Sequence, residues 1–272
     1  MRYFKPLPSF AAVAAGQTAT LDVPARGTYY SLMLTYTTDT VGGATQANME
    51  TEITEIRLKI NGKIQRRFSA EELFDHSTYK GQTITAGKLQ IYFAEPWRQT
   101  VQGEEALAWP MGDVDTFQVE VDIADNSSQA CSLSASAQWS KNEAPMGPII
   151  KWRKFNVPVS ATGIVNVTTF PKADAYMAIH CHSANIADAE VTVDGEEVFD
   201  ATLAEAQELQ KNYGNSPVTG WFHIDYAYTN RVSDALPMVG TDKRPVSEYR
   251  IDLNMSSATT FTALAETLGY RD

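Results

Sequence analysis

The sharpest chemical pattern in the sequence is His180-Cys181-His182. On an extended strand, residues two apart point to one face, so both imidazoles can reach one metal ion. Only His76 and His223 remain as further imidazole donors. The other candidates are weaker. Gly112-Asp-Val-Asp115 offers two carboxylates to a hard cation such as calcium, which needs several more fixed oxygens, and a solvated turn is the simpler reading. Glu104-Glu105 offers less still. Arg57, Lys59, Lys63, Arg66 and Arg67 form the one basic cluster, a patch able to meet phosphate or lipid head groups. Glu52, Glu55, Glu71 and Glu72 lie close by and favour a charge-balanced surface instead. Trp97, Trp139, Trp152 and Trp221 can build a sugar platform, but three of them fall in or beside strands, where core packing is the default. Cys131 and Cys181 are expected to be buried or strand-borne and inert. Neither a nucleophile elbow, a dinucleotide-binding glycine pattern nor a phosphate loop is present.

The elements that must position these residues follow a period of two. Phe117, Val119, Val121 and Ile123 alternate with Gln118, Glu120 and Asp122, and Tyr249–Met255 repeats the pattern. Leu89, Ile91 and Phe93 share one side of a strand, as do Ile56, Leu58 and Ile60. Asn61-Gly62, Asp194-Gly195, Pro24, Pro171 and Gly42-Gly43 punctuate the runs. Two capping boxes mark short helices. Ser69-Ala-Glu-Glu72 opens one over Ala70 to His76, and Thr202-Leu-Ala-Glu205 opens another to about Lys211, ending near Gly214. Everything else reads as strand or loop, so the chain is expected to be all-β with two small helices.

The two capping boxes also expose a repeat. An offset of 133 residues carries Ser69 onto Thr202, Glu72 onto Glu205, Ile53–Gly62 onto Ile186–Gly195, and Gly87–Ala94 onto Gly220–Ala227. Upstream, Pro24 and Tyr29 match Pro171 and Tyr176 at an offset of 147. The difference is a loop insertion in Thr37 to Glu50, expected to be exposed. The domains are then 1–145 and 148–272, joined by Asn142–Pro148. Each half offers about eight short strands, and eight antiparallel strands in two facing sheets make a jelly roll. The expected fold is a double jelly roll of two tandem eight-stranded β-sandwiches. That fold reopens the metal question, because cupins carry His-x-His on a jelly-roll strand. A bicupin pattern wants a Glu four or five residues after the second histidine, where this chain has Ala187 or Asp188. The repeat also lays Ile179 and Cys181 over Leu32 and Leu34, the apolar parity, and puts His180 and His182 on the other face. They are expected at an inter-sheet or inter-subunit surface.

Composition narrows the function. The 272 residues carry 22 Lys+Arg against 33 Asp+Glu, a net charge of -11. The deficit is shared, -5 in the first half and -6 in the second. An acidic chain is a poor sequence-specific nucleic-acid binder, since such affinity comes from neutralising phosphates. With 43% apolar and 20% charged residues, disorder is unexpected. Two cysteines exclude a disulfide framework and a four-cysteine zinc site. No apolar run reaches the ~18–20 residues of a membrane-spanning helix. Phe10–Ala15 is too short for an export signal and follows Pro6 and Pro8, so the protein is expected to stay inside the cell until assembly or release.

A resemblance runs through Met1-Arg-Tyr-Phe, Val13-Ala-Ala-Gly-Gln17, Leu58-Lys-Ile-Asn-Gly62, Thr85-Ala-Gly-Lys-Leu89 and Leu133-Ser-Ala-Ser-Ala-Gln138. In that order, over nearly the whole length, the chain resembles double jelly-roll major capsid proteins of tailless icosahedral bacteriophages, most closely the corticovirus type. The insertion at Thr37 to Glu50 departs from that pattern. The resemblance implies a structural coat subunit without enzymatic activity. It implies a homotrimer forming a pseudo-hexagonal tile of an icosahedral shell. Its partners would be neighbouring capsomers, minor capsid and vertex proteins, and an internal lipid membrane. The protein would be made in the host bacterial cytoplasm and located in the virion capsid. No catalytic, cofactor-binding or metal residue is assigned. Structural Ca2+ where acidic loops of neighbouring tiles meet would have unassigned ligands. The alternatives are a metal-dependent bicupin enzyme using His180 and His182, and a tandem carbohydrate-binding module.

Overall fold

Alternating burial runs through the strands. Over Phe117–Ile123 and again over Tyr249–Met255, every second residue is buried. In a computed structural model that describes residues 1–98, 100–125, 130–240 and 244–272, the chain divides into two units. One is Met1–Trp152 with Tyr270–Asp272, and the other is Arg153–Gly269.

The first unit contains β1 (Arg2–Pro6), β2 (Thr18–Val23), β3 (Thr28–Thr37), α1 (Gln46–Glu52), β4 (Ile53–Ile60), β5 (Lys63–Phe68), α2 (Ala70–Tyr79), β6 (Lys88–Tyr92), α3 (Val101–Glu105), β7 (Trp109–Pro110), β8 (Phe117–Ile123) and β9 (Ser132–Ser140). One sheet has the order β1-β9-β3-β6, with the two-residue β7 also on β3. The other has the order β5-β4-β8-β2. Setting β7 aside and counting along the chain, the sheets read 1-8-3-6 and 2-7-4-5, the jelly-roll order. Leu32, Leu34, Ile56, Leu58, Ile91, Val119 and Val121 are completely buried.

β10 (Ile149–Val157) crosses the boundary between the units at Trp152. The second unit continues with β11 (Gly163–Val167), β12 (Ala175–His182), β13 (Ile186–Val193), β14 (Glu196–Thr202), α4 (Leu203–Asn212), β15 (Phe222–Asp225), β16 (Tyr249–Met255) and β17 (Phe261–Gly269). Its sheets contain β11-β16-β13-β14 and β17-β12-β15, which are places 2-7-4-5 and 8-3-6 of the same order. The fold is a double jelly roll. Its second core joins Ile179, Val191, Phe222, Ile224, Ile251, Leu253 and their neighbours.

The repeat extends to atomic detail. Both capping boxes form, through Ser69 with Glu72 and Thr202 with Glu205. Tyr29 donates its hydroxyl to the Pro24 carbonyl at 2.7 Å, and Tyr176 donates to the Pro171 carbonyl at 2.7 Å. Asn61 (φ 49) and Gly62 (φ 77) make one strand turn, and Asp194 (φ 48) and Gly195 (φ 83) make the other. Positive φ at both central residues matches the twist of a two-residue hairpin. The side chains then reach forward. Asn61 Oδ1 accepts from the N–H groups of Asp115 and Thr116, and Asp194 Oδ1 from those of Ser247 and Glu248. Each contact fixes the loop that enters the next-to-last strand of its unit.

Two expectations need correction. The described residues hold four α-helices and not two. The stretch Thr37 to Glu50 is not wholly an exposed loop, since Thr37 ends β3 and Gln46–Glu52 is α1. Thr45 caps α1 by accepting from Asn48 N–H, and the helix buries Met49 completely. Its first turn carries no acidic residue and its third position is Asn48, so no capping-box signal announces it. α3 is five residues long, with Thr100 accepting from Gly103 N–H. α2 runs three residues past the expected His76, because Tyr79 is completely buried and extends the apolar face.

Candidate functional site

β12 carries the two histidines, and its alternation puts them on one face, opposite Ile179 and Cys181. They do not converge. His180 is buried, and its Nδ1 lies 2.8 Å from Nδ1 of His223 on the paired strand β15. The Val218 N–H points at His223 Nε2 at 3.3 Å, so that nitrogen accepts and the His223 proton sits on Nδ1. His223 therefore donates to His180, and His180 Nε2–H donates to Glu266 Oε1 at 3.3 Å. Glu266 comes from β17, on the other side of β12. His182 instead lies flat on Trp221, with ring centroids 4.5 Å apart and planes 2° apart. One histidine is the middle of a hydrogen-bonded chain and the other is a stacking partner. Their shared face produces structural cross-links between three strands.

The remaining candidates are also held by their own unit. Asp113 Oδ1 accepts from the Met146 N–H at 2.7 Å and pairs with Arg271 at 3.0 Å. These contacts, the Met146 N–H foremost, hold its carboxyl below the usual range. Gly112 cannot carry a side chain, because a Cβ would meet the Ala144 carbonyl oxygen at 2.7 Å. The Gly112–Asp115 turn thus anchors the segment after β9. Glu104 and Glu105 hold Arg2. Cys181 is buried, which pushes its thiol up to about 12. Cys131 is half-buried, just before β9.

The basic cluster splits in two. Arg57 pairs with Glu55, Glu120 and Asp122, Lys59 with Glu120, and Arg67 with Glu55. Hydrogen bonding from Arg57 holds the Asp122 carboxyl below its ordinary value. The surface is charge-balanced, but Glu120 and Asp122 of β8 join the expected Glu55 in doing it, while Glu52 is buried and accepts from Tyr36 and Thr40. Arg66 is different: it is only 2% exposed. Its guanidinium donates to the carbonyls of Ile150 at 2.9 Å and Tyr92 at 2.6 Å. It lies 5.1 Å from the ring centre of Trp152, 5.4 Å from Phe93 and 5.5 Å from Trp109. Arg66 alternates with Arg67 and so faces inward with Phe68, and a bulge next to it leaves Ile64 exposed. Leu58 faces Arg66 while Lys59 faces Ile64, so Gln65 is an extra residue. Two successive side chains, Gln65 and Arg66, then turn inward. Trp152 and Trp221 are 4% exposed and part of the packing, whereas Trp97 and Trp139 are half-buried. Trp97, Trp139 and Trp152 belong to the first unit and Trp221 to the second.

These observations describe two sandwiches in which the named candidate residues make structural contacts within their own unit. Two family models cover them. The viral coat protein P2 N-terminal domain matches residues 4–140 and the viral coat protein P2 C-terminal domain matches residues 149–270. The chain belongs to the viral coat protein P2 family. It is 25% identical over 235 residues to the major capsid protein P2 of Pseudoalteromonas phage PM2, with 83% of each chain covered. The crystal structure of that PM2 protein superposes with a TM-score of 0.89 at 21% identity, covering 100% of this chain and 98% of the other. The STIV MCP gives a TM-score of 0.69 at 13% identity, covering 98% and 96%. The PBCV-1 virus capsid gives 0.61 at 10% identity, covering 98% and 93%. This coat protein is therefore a structural capsid component and not an enzyme, and the bicupin and sugar-binding alternatives are not favoured. For a coat protein the functional parts are the rigid rolls and their edges. Among these, β1 and β14 each end a sheet, and both are exposed along most of their length.

Proposed function

We propose that this coat protein forms homotrimers whose six jelly rolls make a pseudo-hexagonal capsomer of an icosahedral phage shell. The observation that carries the reading is one strand order present twice in one chain. Three such chains supply six sandwiches of one topology, so a three-fold ring meets six neighbours in near-equivalent ways. The domains in this reading are 1–145 and 148–272. Neighbouring capsomers, minor capsid and vertex proteins, and a lipid vesicle beneath the shell are its partners. Synthesis takes place in the host bacterial cytoplasm. An acidic surface keeps the subunits soluble before assembly. Light scattering of the purified protein at neutral pH tests the core of the proposal. The expected result is a mass three times that of one chain, and a monomer across a wide concentration range would overturn it.

A further inference from the structure

The first unit shows how this fold closes an open sheet edge. β5 ends the order β2-β8-β4-β5 within that unit, and the opening residues of β10 run parallel to it, with Trp152 beside Arg66. Lys151 then donates to the Tyr270 carbonyl at 2.9 Å and pairs with Asp272 at 3.0 Å. The Asp272 N–H donates to Gln65 Oε1 at 3.2 Å, above the bulge. Gln65 is 1% exposed as a result. β14 holds the same place in the second unit and has the same bulge. Val191 faces Phe199 while Thr192 faces Glu197, leaving Val198 as the extra residue. Val198, however, is 38% exposed. An exposed edge with an apolar bulge residue invites a further strand.

We propose that β1 of a second copy covers β14, in parallel, as β10 covers β5. β10 is the first strand of its roll in chain order, and β1 is the first strand of the other. The proposed register extends the two sequence offsets to these strands. The offset of 133 carries Arg66 onto Phe199, and that of 147 carries Lys5 onto Trp152. Trp152 beside Arg66 becomes Lys5 beside Phe199, and the neighbours follow, with Phe4 beside Val198 and Arg2 beside Glu196. Phe4 is 61% exposed, so this register brings two exposed apolar side chains together. The charges also match. β14 holds Glu196, Glu197 and Asp200 and no basic residue, while β1 holds Arg2 and Lys5 and no acidic one. Arg2, already paired with Glu104 and Glu105, adds Glu196. The contact is head-to-tail, from the first unit of one copy to the second unit of the next, and such contacts build a ring when the rotation closes. The inference rests on the trimer reading and names the surface that holds the trimer.

The test is a cysteine pair, Phe4→Cys with Val198→Cys, in a Cys131→Ser background. After mild oxidation, a non-reducing gel is expected to show covalent dimers and trimers, with neither single variant giving them. Light scattering runs alongside. A double variant that is trimeric yet does not cross-link overturns the β1–β14 contact. An unmodified chain that never leaves the monomer overturns the trimer reading itself. Phe4→Asp is the second arm. Its site is exposed, so the thermal melt of the monomer is expected to stay unchanged while trimer dissociation rises at least about tenfold. Unchanged trimer affinity in Phe4→Asp would equally sink the proposal.

Discussion

At one bulge, the first unit turns Arg66 beneath three aromatic rings, while the second sets Phe199 against its apolar core. The backbones agree, since each strand has one extra residue at the same place. The side chains do not. The helices that follow differ in the same direction. α2 buries Leu73, Phe74 and Tyr79, whereas α4 buries only Ala206 and Gln210. What the two units keep in common is the set of corners: the Tyr–Pro contacts, the Asn/Asp turns and the capping boxes. Corners fix where strands go, and interiors are free to change around them. The comparison thus separates residues that specify the roll from those that specialise one copy of it.

The strongest way to break that separation is Arg66→Ala. It leaves the Ile150 and Tyr92 carbonyls without their charged donor and empties the space under three rings. The expected loss is about 3–5 kcal/mol from the first unit, against about 1–2 kcal/mol for Phe199→Ala at the half-buried equivalent. Hydrogen exchange resolved by unit measures both. Equal losses would mean that the bulge is interchangeable after all. Next in size come the corners. Tyr29→Phe and Tyr176→Phe each remove one buried hydroxyl–carbonyl bond, for about 1 kcal/mol apiece. The expected result is two matched effects, each confined to its own unit, and a silent member would show that the corners are not equivalent. The smallest effect belongs to the turns. The Asp194 carboxyl is held below its ordinary value, first by the Glu248 N–H and then by Ser247. A carboxyl lowered in the folded state stabilises above its unfolded value of about 3.9 and loses that contribution as pH falls through the folded value. Asn61 in the first unit has no such dependence. Asp194→Asn is expected to leave melting at neutral pH nearly unchanged and to flatten the acid destabilisation of the second unit below about pH 4. Acid melts that overlay those of the unaltered chain would refute the charge difference between the turns.

Much of this was legible in the sequence, for local reasons. Phe117–Ile123 and Tyr249–Met255 could be read as strands because strict alternation has few other solutions. The Asn61-Gly62 and Asp194-Gly195 turns and the two capping boxes carry their own geometry in their residue types. Arg66 was not legible. Alternation with Phe68 and Arg67 already turns Arg66 inward, but an arginine in a basic run reads as surface charge, and the carbonyls that receive it, on Tyr92 and Ile150, lie far away in the chain. The bulge at Gln65, which leaves Ile64 exposed, also has no glycine or turn residue in Lys63–Phe68 to announce it. α1 was hidden for a related reason. It buries Met49 and Glu52, and its two apolar residues, Ala47 and Met49, stand two apart and so show no helical period. The fate of His180 depended on partners from β15 and β17, far away in the chain. The parity of β12 was readable, but the choice between a hydrogen-bonded relay and a shared ligand site was not.

α1 sits between the third and fourth strands of the first unit and has no counterpart helix between β12 and β13. In the proposed ring of six rolls this helix would recur at alternate positions only. A single capsomer seen in projection then carries three landmarks spaced a third of a turn apart. They give each particle image an unambiguous rotational setting, where six indistinguishable rolls would leave two.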